Sequence, residues 1–392
     1  MASGSRSILQ ERMQGSKLVR VLSYPDFRLM WFGAFLSFTG SWVQNVAQGY
    51  FVYELTHDEG KLALVSFASS IPVFLFGFVA GGLADAFDKR KVLIVAQALL
   101  GCAALFLAWA TWRGTATFGS VIAVAFVVGL IGCVEMPTRQ SIVSRVVPAE
   151  DLAAAVPVNA MTFNVARIFG PAIGGFLLAT VGVAACYLLN GLSFIALIWA
   201  VLAIRADLGR PERRKQPIGD LIFEGALYTF REVRLRTLLI LETITACFGI
   251  FYLPLIPAYV REELGYSEAA SKGALAGAYT SIGVGALIGL VFITSLSDSP
   301  HKGRIVRGAM LAIGIGLLVL STVHSPWVAF PTMAIIGGST IMQFNTTNAL
   351  FQLLSPEHLR GRVLSMHIWA LNGLSPFGIL ALGTLAGVSR DW

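Results

Sequence analysis

Residues 81–91 read GGLADAFDKRK and lie between two apolar stretches, each long enough to cross a bilayer. They set Asp85 and Asp88 beside Lys89, Arg90 and Lys91 in a loop with almost no slack. A weaker echo, SLSDSPHKGR at residues 295–304, again separates two apolar stretches. A charged hinge that recurs once per half is what a duplicated membrane transporter shows, so the expectation is two related bundles of helices.

Composition sets the same frame. Of the 392 residues 56% are hydrophobic and only 13% charged, and the mean hydropathy is +0.72. That lies far outside the soluble range, and any chemistry must happen inside or across a membrane. The four cysteines, Cys102, Cys133, Cys186 and Cys247, fall inside apolar runs with no CxxC spacing and no histidine cluster, so packing is their expected role. No metal ligand set, Ser/His/Asp arrangement or P-loop is visible, and neither an enzyme, a metal, a cofactor nor ATP is expected. Against a receptor stands the lack of a sizeable soluble domain.

Applying a ruler of about 20 residues per span gives candidates near 29–54, 62–84, 92–112, 117–138, 153–180 and 183–204, then 237–260, 273–296, 305–323, 327–350 and 363–388. With the N-terminus in the cytoplasm, 23 Lys and Arg fall on the cytoplasmic side and 5 opposite, leaving Arg167 within a span. The asymmetry sets the orientation and explains the net charge of +7 without nucleic acid. The basic leader carries no cleavage site and reads as a cytoplasmic tail over 1–28. A bundle over 29–204, a cytoplasmic linker over 205–236 and a bundle over 237–392 follow. An odd count suggests that a six-plus-six plan lacks its twelfth helix, a native eleven-span protein being the alternative.

The halves also echo one another away from the hinges. Pro148, Glu150 and Leu152 precede a helix with Gly170-Pro171; Pro356, Glu357 and Leu359 precede one with Ser375-Pro376. Leu152 to Leu359 is 207 residues, Pro171 to Pro376 is 205 and Asp85 to Asp298 is 213, a common register with small insertions. Substrate is expected near the midplane between the bundles, with each rocking about it.

These residues resemble the major facilitator superfamily. Gly81, Asp85, Lys89 and Arg90 match its helix 2–3 motif, while Ala86 and Asp88 stand where arginine and glycine are usual. Asp88, together with FRLMWFGAFLS, PTRQSIVSRVVP, FNVARIFGPAIGG and LRGRVLS, is similar to the enterobactin-exporter and macrolide-efflux branch. The resemblance implies an all-α membrane protein of two pseudo-symmetric six-helix bundles, monomeric, in a bacterial inner membrane. It implies a gating latch in which Asp85 meets Arg139 and the start of span eleven near Gly361, with Lys89 and Arg90 beside it and Asp298 in the second hinge. Lys89, Arg90 and Lys91 as simple positive-inside anchors is the competing reading.

Span five carries Phe163, Arg167, Gly170 and Gly174 along one helical stripe, with Pro171 and Gly175 adjoining. The Gly170-Pro171-x-x-Gly174-Gly175 cluster resembles the family's antiporter motif, and close helix packing alone accounts for it nearly as well. An arginine within a span costs about 2.5–3.5 kcal/mol on insertion scales and marks a polar cavity or an ion pair. Glu135 and Glu242 are its expected partners, and each is a candidate proton carrier because a low-dielectric setting disfavours a bare charge; structural ion pairing is the alternative for both. Ser37, Ser41, Gln44 and Gln48 share one face of span one, Thr245 and Tyr252 stand in span seven, Gln343 in span ten and Asn372 in span eleven. These polar residues, with aromatic Phe163, are expected to line a substrate cavity, and helix-to-helix hydrogen bonding competes for some of them. The leading expectation is a proton-coupled exporter of amphipathic small molecules, of drug or siderophore type, working by alternating access. A lipid or lysolipid flippase, or a transport-dead receptor, remains open.

Overall fold

The computed structural model describes residues 20–208, 218–296, 299–356 and 359–388. Side chains of 78–86, 218–223 and 386–388, and of a few single positions including 361, are outside that description, so the expected roles of Asp85 and Asp298 lie outside the described residues.

Every described regular element is helical: α1 Pro25–Thr56, α2 Glu59–Ala86, α3 Lys89–Trp112, α4 Phe118–Val146, α5 Leu152–Ala203, α6 Ile218–Arg231, α7 Val233–Ile244, α8 Ile256–Glu262, α9 Glu268–Ser295, α10 Lys302–Leu320, α11 Pro326–Leu354, α12 Arg360–Gly373 and α13 Ser375–Val388. Among the described residues nine helical runs are long and apolar enough to cross a membrane. One of them, Met161–Ala203, turns back at Gly182 and covers two of the eleven expected spans, and the 32-residue α1, outside the nine, covers the first.

Helix ends follow local chemistry. Asp58 and Asp88 accept from the backbone N–H of Lys61 and Lys91, both at 3.2 Å, and start α2 and α3; Thr117 and Ser120 form a reciprocal capping box on α4. The hinge at 81–91 therefore has a structural reason for Asp88, which starts the next helix while the chain reverses. In α5 the reversal is made by Gly182, at φ 81 and ψ 179, a region essentially closed to residues with a Cβ. Gly182→Ala is expected to cost about 1–3 kcal/mol. The check is a lower thermal midpoint in detergent with ligand binding intact, since Gly182 has open space around it.

The two limbs of α5 clasp α1. A Cβ at Gly33 or Gly40 would meet Leu197, Ala200, Asn190 or Ser193 of the second limb, and one at Gly170 or Gly174 would meet Trp42 or Val43 from the first. Helices α1 to α5 pack mainly on each other, as do α7 to α12, with α9 on α11 the most extensive pair of the second group, while α13 lies mostly against α2. Gly285 and Gly289 pack on the Ala334 and Gly338 backbones there, close approaches that only missing side chains allow. Contact between the groups runs through α5 on α9 and α2 on α12 and α13.

Part of the expected linker is helical. Its helix α6 lies along α12, where Gly225 meets Arg362 and Glu224 pairs with the Arg362 guanidinium. Helix α7 starts at Val233, within the residues expected as linker. At the end rich in Lys and Arg, here the basic end, Asp151 receives Arg20 and the Tyr24 hydroxyl, the latter at 2.5 Å. Hydrogen bonding to the Asp151 carboxylate, before its charge, raises the pKa of both partners. A raised value keeps both donors protonated up to the ordinary tyrosine value near 10, so mildly alkaline pH does not break this joint.

Candidate functional site

Span seven does not run as one regular helix. After α7 the chain takes a π-helical turn at Thr245–Gly249, then a 3₁₀ turn at Leu253–Leu255, before α8 resumes. Pro254 and Pro257 supply no N–H to an α ladder, and Gly378 of α13 presses on the Cys247 backbone, its missing Cβ falling 2.2 Å from that carbonyl oxygen. Local breaks of this kind free backbone groups where a helix lines a cavity.

Ile250, Tyr252, Leu253 and Pro254 from this broken stretch form one wall of a cavity of about 470 Å³. The other walls come from both groups of helices: Trp42 and Gln48 of α1, Ser66 and Ser70 of α2, Phe163, Arg167 and Pro171 of α5, Tyr279 of α9, Phe344 of α11, and Asn372 and Ser375 around the α12–α13 break. That volume suits a drug-sized organic molecule, and the lining is mostly apolar and aromatic with a few polar groups.

The structure brings Gln48, Phe163, Tyr252 and Asn372 of the expected cavity residues to this lining. It places the other five elsewhere, Ser37 being buried with its hydroxyl 3.4 Å from Gln97 Oε1. Gln44 is buried and accepts from Asn190 Nδ2 at 2.7 Å, joining α1 to the second limb of α5. Ser41 donates to the Ser37 carbonyl at 3.0 Å. Gln343 donates to the Thr245 hydroxyl at 2.7 Å, and both are buried between α11 and the π turn. One polar face therefore splits between solvent-facing and helix-joining duties, because neighbouring helices cover part of its length.

Arg167 does not meet Glu135 or Glu242. Glu135 lies buried within α4, where its Oε1 accepts from Arg139 Nε and from Gln97 Nε2, both at 2.9 Å. Arg139 also lies over the Phe38 ring at 3.9 Å. Arg139 is thus engaged one turn along its own helix, and its expected meeting with Asp85 involves a side chain that is not described. Glu242 faces His367 of α12, with Oε2 and Nδ1 2.5 Å apart, and its Oε1 has no hydrogen-bond partner among the described residues. The Phe351 ring lies 5.2 Å from that of His367 and belongs to a buried apolar cluster with Leu235, Leu239, Val363 and Met366 from the same helices and α11.

His367 and Gln97 were not expected. A lone histidine or glutamine in an apolar run carries no pattern, and only the crossing of α12 over α7 and of α3 over α4 gives each a carboxylate. Arg90 also differs from its expected gating role. Its guanidinium donates to the carbonyls of Val201, Leu202, Ile204 and Ala206, at 2.7–3.3 Å, and Asp26 accepts from the N–H groups of Arg205 and Ala206. Together they close the C-terminal end of α5, where orphan carbonyls and the helix dipole favour a cation. Lys89 opens α3 as its first residue and is half-buried.

The antiporter-like cluster sits at two junctions. Gly170 and Gly174 let α5 touch α1, whereas Gly175 faces α9, its absent Cβ falling 2.4 Å from Ala276 Cα. Nearby, at the end opposite the basic one, the Tyr53 hydroxyl of α1 donates to Glu262 of α8, and the Lys272 ammonium lies 5.7 Å from the Tyr50 ring centre. These contacts join the two groups of helices at that far end.

Residues 19–389 match the family model described as transmembrane secretion effector. The staphyloferrin A transporter of Staphylococcus aureus is 27% identical over 367 residues, covering 91% of this chain and 88% of that protein. The multidrug efflux pump Tap of Mycobacterium tuberculosis is 26% identical over 370 residues, covering 92% and 87%. Among solved structures the nucleoside transporter NupG superposes with a TM-score of 0.74 at 13% identity, covering 93% of this chain and 91% of that one, a likeness of fold. A helical membrane fold with a central cavity between two groups of helices, and a family match over nearly the whole chain, lead to one conclusion: this protein belongs to the transmembrane secretion effector family of major facilitator transporters.

Proposed function

We propose that the protein exports amphipathic small molecules from a bacterial cell in exchange for protons, by alternating access of bundles 29–204 and 237–392 at the inner membrane, with a cytoplasmic N-terminus and as a monomer. The observation that carries this reading is the cavity of about 470 Å³ whose walls come from both groups of helices. A site shared across a movable joint is exposed to one side or the other as the joint rocks. The names of the relatives, a siderophore transporter and a multidrug efflux pump, support export.

Proton exchange is assigned to Glu242 and His367. A carboxylate and an imidazole 2.5 Å apart in an apolar cluster hold a proton between them, and α12 adjoins the break that lines the cavity. Glu135 reads as a structural ion pair, since Arg139 and Gln97 already satisfy one of its oxygens. Asp85 and Asp298 are retained as gating candidates at the basic end.

The test is uptake into inverted vesicles of a panel of dyes, macrolides, catechol siderophores and lysolipids, with and without a proton gradient. Gradient-dependent uptake of at least one panel member is expected. No gradient-dependent movement of any of them refutes export by proton exchange, and lysolipid movement that ignores the gradient favours a flippase.

A further inference from the structure

Arg167 is the one charged side chain among the described residues that line the cavity. It stands on the first limb of α5 between Phe163 and Pro171, each four residues away, and all three open onto the same space. No carboxylate among the described residues pairs with it. The carboxylates once expected to neutralise it are engaged elsewhere, Glu135 with Arg139 and Glu242 with His367. A guanidinium held among apolar and aromatic walls, away from bulk water, is costly alone and strongly attracts an opposite charge.

We propose that Arg167 is the anion-binding residue of this cavity, and that the transported class is amphipathic organic anions. A carboxylate, sulfonate or phosphate accepts from the planar fork of the guanidinium, a geometry that fits oxyanions in a two-point contact. The apolar or aromatic body lies against Trp42, Phe163, Tyr252 and Phe344, while Gln48 and Asn372 offer hydrogen bonds to neutral polar groups. The inference rests on the transport reading above and adds the chemistry of what the cavity takes. Charge selection arises because a cation finds Arg167 repulsive in a site with no compensating acid, whereas a neutral molecule leaves the guanidinium unpaired.

The test is a titration of the purified protein in lipid nanodiscs with three matched fluorescent probes: pyrenebutyrate, pyrenebutanol and pyrenebutylamine, with empty discs subtracted. The native protein is expected to bind the butyrate about tenfold or more tightly than the alcohol, since hydrogen bonds to a charged group dominate the difference, and the amine least. Arg167→Gln and Arg167→Met are expected to abolish the preference for the butyrate over the alcohol; removing an unpaired charge from within the membrane leaves thermal stability at least as high, so the variants report on binding. Equal binding of butyrate and alcohol by the native protein overturns the proposal, as does a ranking that survives both variants. Loss of stability with equal loss of all three probes also overturns it and makes Arg167 structural. Intact charge ranking without gradient-driven flux of any panel compound removes the export reading and leaves the anion site standing. Flux of neutral or cationic compounds unaffected by Arg167→Gln does the reverse.

Discussion

Glu242→Gln is expected to abolish gradient-driven accumulation while sparing substrate binding. The amide preserves the size of the carboxyl group and its hydrogen bond to His367, which lies 2.5 Å away, but it cannot exchange a proton. One pH unit stores about 1.4 kcal/mol per proton, so a one-for-one exchanger accumulates substrate about tenfold per unit, and the variant should fall to about onefold. Downhill flux along a substrate gradient should persist. The groups around Glu242 are His367 from α12, the uncharged Thr245 and Gln343 from the π turn and α11, and the apolar side chains of the surrounding cluster. Without the carboxylate, His367 is left with no anionic partner, and an imidazolium alone in that apolar cluster is costly. Glu135→Gln is the matched comparison, because that carboxylate is held by Arg139 and Gln97. Uphill uptake kept by Glu242→Gln and lost in Glu135→Gln would reverse the assignment.

The second large effect is expected at Gly175. Its absent Cβ would fall 2.4 Å from Ala276 Cα, and ordinary contact begins near 3.4 Å, so even alanine requires the α5 and α9 backbones to part by about 1 Å. Leucine requires more. Neither backbone can yield within its own helix, so the strain is relieved by separating the two groups of helices at the far end. Gly175→Leu should therefore open the Tyr53–Glu262 junction and reduce transport to background, with each group of helices still folded. Spin labels at Thr180→Cys and Glu268→Cys, in a background with the four native cysteines replaced, measure the separation. A longer distance is expected in the variant. Gly308→Leu, at a position with no atom within 4 Å, should leave distance and flux unchanged. An unaltered distance with normal transport in Gly175→Leu would show that α5 and α9 do not need this contact to close.

Much of the architecture was legible because membrane helices announce themselves one at a time. A run of about 20 apolar residues is a local property, and in lipid the backbone has no alternative to helix. The reversal at 81–91 was legible as a charged hinge, whereas the caps at Asp88 and at the Thr117–Ser120 pair came only with the structure, although each acts through neighbours three residues away. Span seven is irregular around Pro254 and Pro257, and the sequence did not say that the break would open onto the cavity.

Side-chain partners were a different matter. Gln44 and Gln48 stand one turn apart on the same helix, yet one joins α1 to α5 and the other faces the cavity. Arg139 found its carboxylate within its own helix, Arg90 found the carbonyls at the end of α5, and Glu242 found His367 from α12, 125 residues away. The sequence by itself determined that the chain is a bundle of membrane helices, roughly where each lies, and that Arg167 falls within one of them. Which charges neutralise one another, and that Arg167 is left facing the cavity, only the tertiary structure decided. Hydropathy and capping act between residues close in the chain, whereas pairing depends on the crossing and rotation of helices far apart in it, and a shift of one residue along a helix turns a side chain by roughly 100°.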